Sequence, residues 1–282
     1  MRTTSRTLAS AAALTLLAGL TACGGSDAGG TEVAADCEPA HPDLETVTDG
    51  VLTVSVYVTP PYTIEEEGTY NGVDGKIIKK IAELECLEVT MQPIAAAGLI
   101  QSVETKRADT ALGGIYRTPE RAEILKLPAT VYLDGMQIVA KEELPTLESL
   151  EGKTLGVIQG YLWTEDLQAS LGSDAVKIYQ ASDGMINDLN SGRVDAVVLT
   201  NAEAAYRIEQ FPDAGLVATD LEPTPDVAAS QHPGEVVFPV PKGNTALAEA
   251  FSADIEALQE DGTVAEVLEE YGLPESSLVS NG

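Results

Sequence analysis

Two rounds of strand–helix alternation, separated by a proline-containing connector, constrain this chain more than any other feature. In the first round LTVSVY (52–57), LEVTMQPI (87–94) and DTALGG (109–114) read as strands, rich in β-branched and apolar residues. Between them GKIIKKIAELE (75–85) and LIQSVETKR (99–107) have helical periodicity. The order βαβαβ calls for a mostly parallel sheet with helices on both faces. After the connector QIVAKEELPTLESLEGK the pattern restarts. TLGVIQG (154–160), VKIYQA and DAVVLT (195–200) read as strands, and TEDLQASL, GMINDLNSG and NAEAAYRIEQF as helices. GEVVFPVPKGN then leads into two helices, TALAEAFSADIEALQEDG and TVAEVLEEYG, each running to a glycine. The expected class is α/β, in two units with a cleft between them. Ligands of open α/β sheets bind beyond the carboxyl ends of the strands. That rule selects Tyr57 to Tyr62, Gly113 to Arg121, Gly160 to Thr164 and Leu199 to Glu203.

The N-terminus speaks to compartment. Arg2 and Arg6 precede the apolar run LASAAALTLLAGL, which ends in LTAC, Leu20 to Cys23. A charged region, an apolar region and a small-residue cleavage site make a secretory signal. The run is too short for a comfortable membrane span. LTAC resembles the bacterial lipobox, in which cleavage before the cysteine is followed by its acylation; a generic signal with an incidental cysteine is the alternative. The resemblance implies a signal peptide over 1–22, a lipid on Cys23 and a flexible tether over 23–37, where GGSDAGGTEVAAD has the composition of one. The expected location is extracytoplasmic, held to the cell membrane by the lipid. No other stretch is apolar and long enough to span a bilayer.

Charge narrows the partners. Against 16 Lys+Arg stand 45 Asp+Glu, a formal charge of −29; loss of residues 1–22 removes two arginines and no acid, leaving −31. Such a surface repels nucleic acid phosphates. Cys37 and Cys86 form an even pair in an oxidising compartment, which points to a disulfide, with two buried thiols as the alternative. The only histidines are His41 and His232, and no CxxC or HxxxH spacing occurs. No metal or cofactor is expected.

Within this acidic chain GGIYRTPERAEIL (113–125) places two arginines four residues apart. Thr118 suits an N-cap and Pro119 the first helical position. Arg121 then falls third in the helix, where a cation opposes the helix dipole and a capping box would want Glu or Gln. A bound anion would reverse that balance, gripped by the guanidinium and the helix start. Gly113 and Gly114 would let it approach the backbone closely. The competing reading is a surface ion pair with Glu120 or Glu123. Arg117 reads as a rim or surface residue.

GVLTVSVYVTPPY, GVDGKIIKKIAE, GIYRTPERAEIL, LESLEGKTLGVIQG, SGRVDAVV and PKGN…LQEDGTVAEVLEEYG, in this order, resemble the extracytoplasmic solute-binding proteins of ABC importers, family 3, which mostly bind amino acids. The resemblance spans residues 50 to 272. It implies two Rossmann-like lobes joined by two crossing strands, the type II periplasmic-binding-protein-like arrangement. Lobe 1 would be 38–137 plus 235–282 and lobe 2 138–234, with hinges near Ile138 to Lys141 and Ser230 to Gly234. It implies that Arg121 grips a ligand carboxylate, that a permease is the partner, and that the protein works as a monomer without catalytic residues.

Departures from the family pattern bear on the ligand. Gly114 and Tyr116 stand where relatives often have small hydroxyl residues. Gly160-Tyr161-Leu162-Trp163 replaces a Gly-Ser/Thr-Thr turn. Thr200, followed by Asn201, stands where the family's aspartate meets the ligand's α-amino group. An ammonium out of water wants an acid or an aromatic face. Tyr57, Tyr62, Tyr116, Tyr161 and Trp163 are candidates for the latter, with core packing the plainer role for Tyr57. Asp134 either replaces the missing acid or serves a turn. Asp74 reads as a helix cap, and Pro60-Pro61 as a rigid loop under the pocket. The expected function is capture of a small carboxylate-bearing solute, an amino acid or similar zwitterion, by lobe closure. Two alternatives share the scaffold: an enzyme resembling the cyclohexadienyl dehydratases, and a ligand-sensing module without transport.

Overall fold

The computed structural model describes residues 33, 34 and 36–279. The expected signal peptide, Cys23 and most of the tether lie outside the described residues.

The first sheet has three parallel strands in the order Glu88–Pro93, Val51–Val56, Thr110–Leu112. Five of the six residues of Val51–Val56 are buried, as befits a central strand covered on both faces. Helix Gly72–Leu84 lays Val73, Ile77, Ile78 and Ile81 into the core at helical spacing. Helices Thr245–Glu260 and Thr263–Glu270 return to pack on it.

The second sheet has five strands, ordered Val176–Tyr179, Leu155–Ile158, Ala196–Thr200, Met136–Ala140, Val217–Asp220. The first three run parallel; Met136–Ala140 is antiparallel to both of its neighbours. The two α/β units read from the strand–helix alternation are both present.

Two strands cross between the units. Tyr132–Asp134 pairs antiparallel with Gly234–Val236, so that Asp134 lies opposite Gly234. Gly234–Val236 also meets the segment before Arg121: Arg117 N donates to Glu235 O at 2.8 Å and Val237 N to Ile115 O at 2.9 Å. A Cβ on Gly234 would stand 2.4 Å from the Tyr116 ring, so glycine alone permits this approach. Ile138 to Ala140, expected near a hinge, lie inside the second sheet opposite Val198, Val197 and Ala196. The narrow crossing comes earlier, around Asp134 and Gly135.

Cys37 and Cys86 are bonded, 49 positions apart in sequence. In the chain-entropy account a loop of that length contributes roughly 4 kcal/mol. Ala40 N donates to Leu84 O at 2.9 Å beside the bond, so the N-terminal segment is pinned to the end of helix Gly72–Leu84. Among the described residues no helix is long and apolar enough to cross a membrane.

Candidate functional site

A cavity of about 90 Å³ lies between the two units, at the carboxyl ends of their strands. Its walls come from both. Gly113, Gly114, Tyr116 and Arg121 face it from the first; Gly160, Tyr161, Trp163 and Thr200 from the second. Ala96, Ala97, Leu99 and Ile100 form an apolar wall. The walls touch at Gly160, where φ is +92° and a Cβ would stand 3.0 Å from Ala97 Cα.

Among the described residues, Arg121 is the only charged one on these walls. Thr118 caps the helix Pro119–Ile124, its side chain accepting from Arg121 N at 3.2 Å. That bond fixes the backbone under the guanidinium, whose Nη1 donates to Tyr116 O at 2.5 Å. Among the described residues Arg121 has no carboxylate within ion-pair distance. Removal from water pulls its pKa down to about 10, which leaves it cationic at neutral pH. Arg117 is the opposite case. Its Nε donates to Glu235 at 2.6 Å, and its other nitrogens to Leu127 O at 3.1 Å and Pro128 O at 2.5 Å. It ties a loop to the second crossing strand.

The Gly113–Gly114 turn is held from behind. Asp74 is fully buried and accepts from Gly113 N at 3.0 Å, Gly114 N at 2.9 Å and Tyr132 OH at 2.5 Å. Burial raises its pKa against the pull of these donors. Its bonds run to this turn, whereas the helix N-cap, Asn71, makes no side-chain cap bond. The two glycine amides are therefore engaged with Asp74, and the Arg121 guanidinium is the charged donor facing the cavity.

Asp134 stands at the strand crossing, also buried, and not on the cavity wall. It accepts from Tyr62 OH and from Tyr116 OH, the latter at 2.9 Å. Thr200 Oγ1, 2.6 Å from Tyr62 OH, extends the chain into the second unit. Burial pushes Asp134 up to about 7, against these hydroxyls and the N–H groups of Gly135 and Ala202. The bonding agrees with a proton there. Tyr116 OH has one hydrogen but two acceptors, Asp134 and, at 3.0 Å, Gly135 O. A protonated Asp134 can donate to Tyr116, which then donates to Gly135.

Among the nine residues expected at a ligand, Arg121, Tyr116, Gly114, Tyr161, Trp163 and Thr200 line the cavity. Tyr57, Tyr62 and Asn201 stand behind it. Tyr62 stacks on Tyr132 with centroids 6.1 Å apart, and Tyr57 meets the edge of Tyr161 at 6.4 Å. Asn201 N donates to Gly135 O at 3.0 Å at the crossing. Tyr161 and Trp163 pack edge to face at 5.1 Å, giving the second unit an aromatic corner.

Two features escaped the sequence reading. The apolar wall at Ala96 to Ile100 follows strand Glu88–Pro93, and the carboxyl-end rule applied to that strand finds it. Glu203 is fully buried behind Tyr161, which donates to its Oε2 at 3.1 Å; its Oε1 has no partner among the described residues. Its signal is Thr200-x-x-Glu203, capping-box spacing. Half the box forms, Glu203 N donating to Thr200 Oγ1 at 3.2 Å, while the carboxylate turns to Tyr161 instead.

Residues 52–274 match the family model of bacterial extracellular solute-binding proteins, family 3. The L-cystine-binding protein TcyJ of Escherichia coli K12 is 24% identical over 228 residues, 79% of this chain and 82% of the relative. The probable amino-acid-binding protein YxeM of Bacillus subtilis is 25% identical over 264 residues, covering 91% of each. An ancestral arginine-binding protein solved with arginine superposes with a TM-score of 0.70 at 29% identity, over 79% of this chain and 98% of that one. The two-unit fold, the cavity between the units and a match over most of the length agree: this chain belongs to the bacterial extracellular solute-binding proteins, family 3.

Proposed function

We propose that this protein captures a small carboxylate-bearing solute in the cavity between its lobes and passes it to an ABC permease. One observation supports this above the rest: Arg121 presents a guanidinium to the cavity with no carboxylate of the protein beside it. A ligand carboxylate would supply the missing anion with a two-pronged bond. The relatives named for L-cystine and arginine point to the amino-acid class. Among the described residues the walls carry no acid, so an α-ammonium here meets Thr200 and the rings of Tyr116, Tyr161 and Trp163. That favours a zwitterion with a shielded or substituted amine. Among the described residues no histidine or carboxyl group lines the cavity to act as general acid or base, which supports capture and release over turnover.

The lobes, 38–137 with 235–282 and 138–234, close about the crossing at Asp134 and Gly135. Cys23 carries the lipid that holds the monomeric protein to the membrane. The test is calorimetry with amino acids, betaines and small carboxylates, with Arg121→Ala alongside. Binding should require the carboxylate and weaken about 10- to 100-fold in Arg121→Ala, the worth of a charged hydrogen bond at about 1.5–3 kcal/mol. Equal affinity for the corresponding amides would sink the reading. The intact mass of the membrane-extracted protein checks the anchor: it should begin at an acylated Cys23.

A further inference from the structure

A cluster of metal-ligating side chains lies away from the cleft, beneath the N-terminal segment. His41 comes from that segment, Glu85 from the end of helix Gly72–Leu84, and Asp254 from the middle of helix Thr245–Glu260. One ligand atom of each lies within 4.8 Å of the others. His41 Nδ1 is 2.5 Å from Glu85 Oε1 and 3.9 Å from Asp254 Oδ1. The Glu85 side chain is fully buried, that of Asp254 is 4% exposed, and His41 is 37% exposed. Asp254 Oδ2 is buried and has no partner among the described residues.

We propose that His41, Glu85 and Asp254 form a binding site for a zinc-like divalent cation. Two buried carboxylates side by side need positive charge, and one imidazole does not balance both. One nitrogen and two carboxylate oxygens are a donor set that Zn²⁺ accepts, with bonds of about 2.0–2.2 Å. The half-exposed edge of His41 leaves an open side for a water as fourth ligand. The scaffold is fixed before any ion arrives. The disulfide Cys37–Cys86 and the bond from Ala40 N to Leu84 O hold the segment in place, and His41 N donates to Glu85 Oε2 at 2.9 Å. The sequence argued against a metal because no ligand spacing was present; the fold joins residues that no short motif could. The other way to balance the pair is a proton. Burial, with Glu85 alongside, raises the pKa of Asp254.

The test uses the full chain made without a histidine tag, stripped with chelator and dialysed against Zn²⁺, with bound metal counted by mass spectrometry. One Zn²⁺ per chain is expected. His41→Ala and Asp254→Asn should each lose it, and Arg121→Ala should keep it, which separates this site from the cleft. Circular dichroism checks that each variant is folded before its metal is counted. No stoichiometric uptake by the wild type would overturn the metal and assign the pair to a shared proton. Uptake unchanged in both variants would overturn the site.

Discussion

Asp74 and Asp134 are both buried carboxylates bonded to tyrosine hydroxyls, yet they serve different parts of the molecule. Asp74 works inside one lobe: its acceptors are filled by Gly113 N, Gly114 N and Tyr132 OH. Asp134 works between lobes: it gathers Tyr62 and Tyr116 from one side and reaches Thr200 of the other through Tyr62. The first carboxylate shapes a wall of the cavity. The second sits where the walls are joined. A carboxylate whose acceptors are all filled suits a rigid turn, and one that links both sides suits a joint.

Removing the first should cost most. Asp74→Ala strands three donors, at about 1–3 kcal/mol each before relaxation. A loss of about 3–5 kcal/mol is expected in denaturant titration; under 1 kcal/mol would erase the contrast. The second carboxylate should show its difference in pH. The folded-state pKa of Asp134 is raised from 3.8 to about 7. Between these values the folded state holds a proton that the unfolded state has released, so this group's contribution to stability falls as pH rises through the window. The stability of wild type relative to Asp134→Asn should therefore drop by a few kcal/mol between about pH 4 and pH 7. A flat difference would mean that Asp134 is ionised throughout.

The tyrosines sharpen the same contrast at a smaller scale. Tyr132→Phe and Tyr62→Phe each remove one hydroxyl, worth about 1 kcal/mol. Tyr132→Phe should lower global stability and leave solute affinity alone. Tyr62→Phe cuts the link from Asp134 to Thr200, so it should also change affinity or the compaction seen by small-angle scattering. Identical behaviour of the two would break the distinction. Smallest of all, Arg117→Ala should cost about 1 kcal/mol or less, since its ion pair with Glu235 is partly exposed. Its solute binding should stay intact, unlike that of Arg121→Ala.

What could be read in the sequence was what depends on near neighbours. The strands announced themselves by β-branched runs ending in glycine, as in DTALGG. Arg121 stood out because Thr118 and Pro119 mark a helix start at which a cation is out of place. The role of Asp74 was hidden because its partners lie 39 and 40 residues further on. It looks like a cap from sequence because the helical pattern starts at Gly75, whereas the helix begins at Gly72 and takes Asp74 into its first turn. Asp134 was noticed as a spare acid near the crossing, but only the fold turns it to tyrosine hydroxyls rather than to the cavity. Glu203 gives no signal of its own, because a Glu at the third helical position has an ordinary use in capping. His41, Glu85 and Asp254 were beyond reach: three elements far apart in sequence meet only after both helices have packed.

The bond between Cys37 and Cys86 also sets a load path. Tension arriving along the N-terminal segment enters the body at Cys37. It crosses to Cys86 and spreads into helix Gly72–Leu84, which is packed against two further helices. Strand Val51–Val56, the middle of its sheet, is spared the pull that would peel it from its neighbours one hydrogen bond at a time. Were the chain pulled from its N-terminus, the first part to yield would then not be the sheet that leads to Arg121. Such a pull would strain a covalent ring and leave the jaw in register.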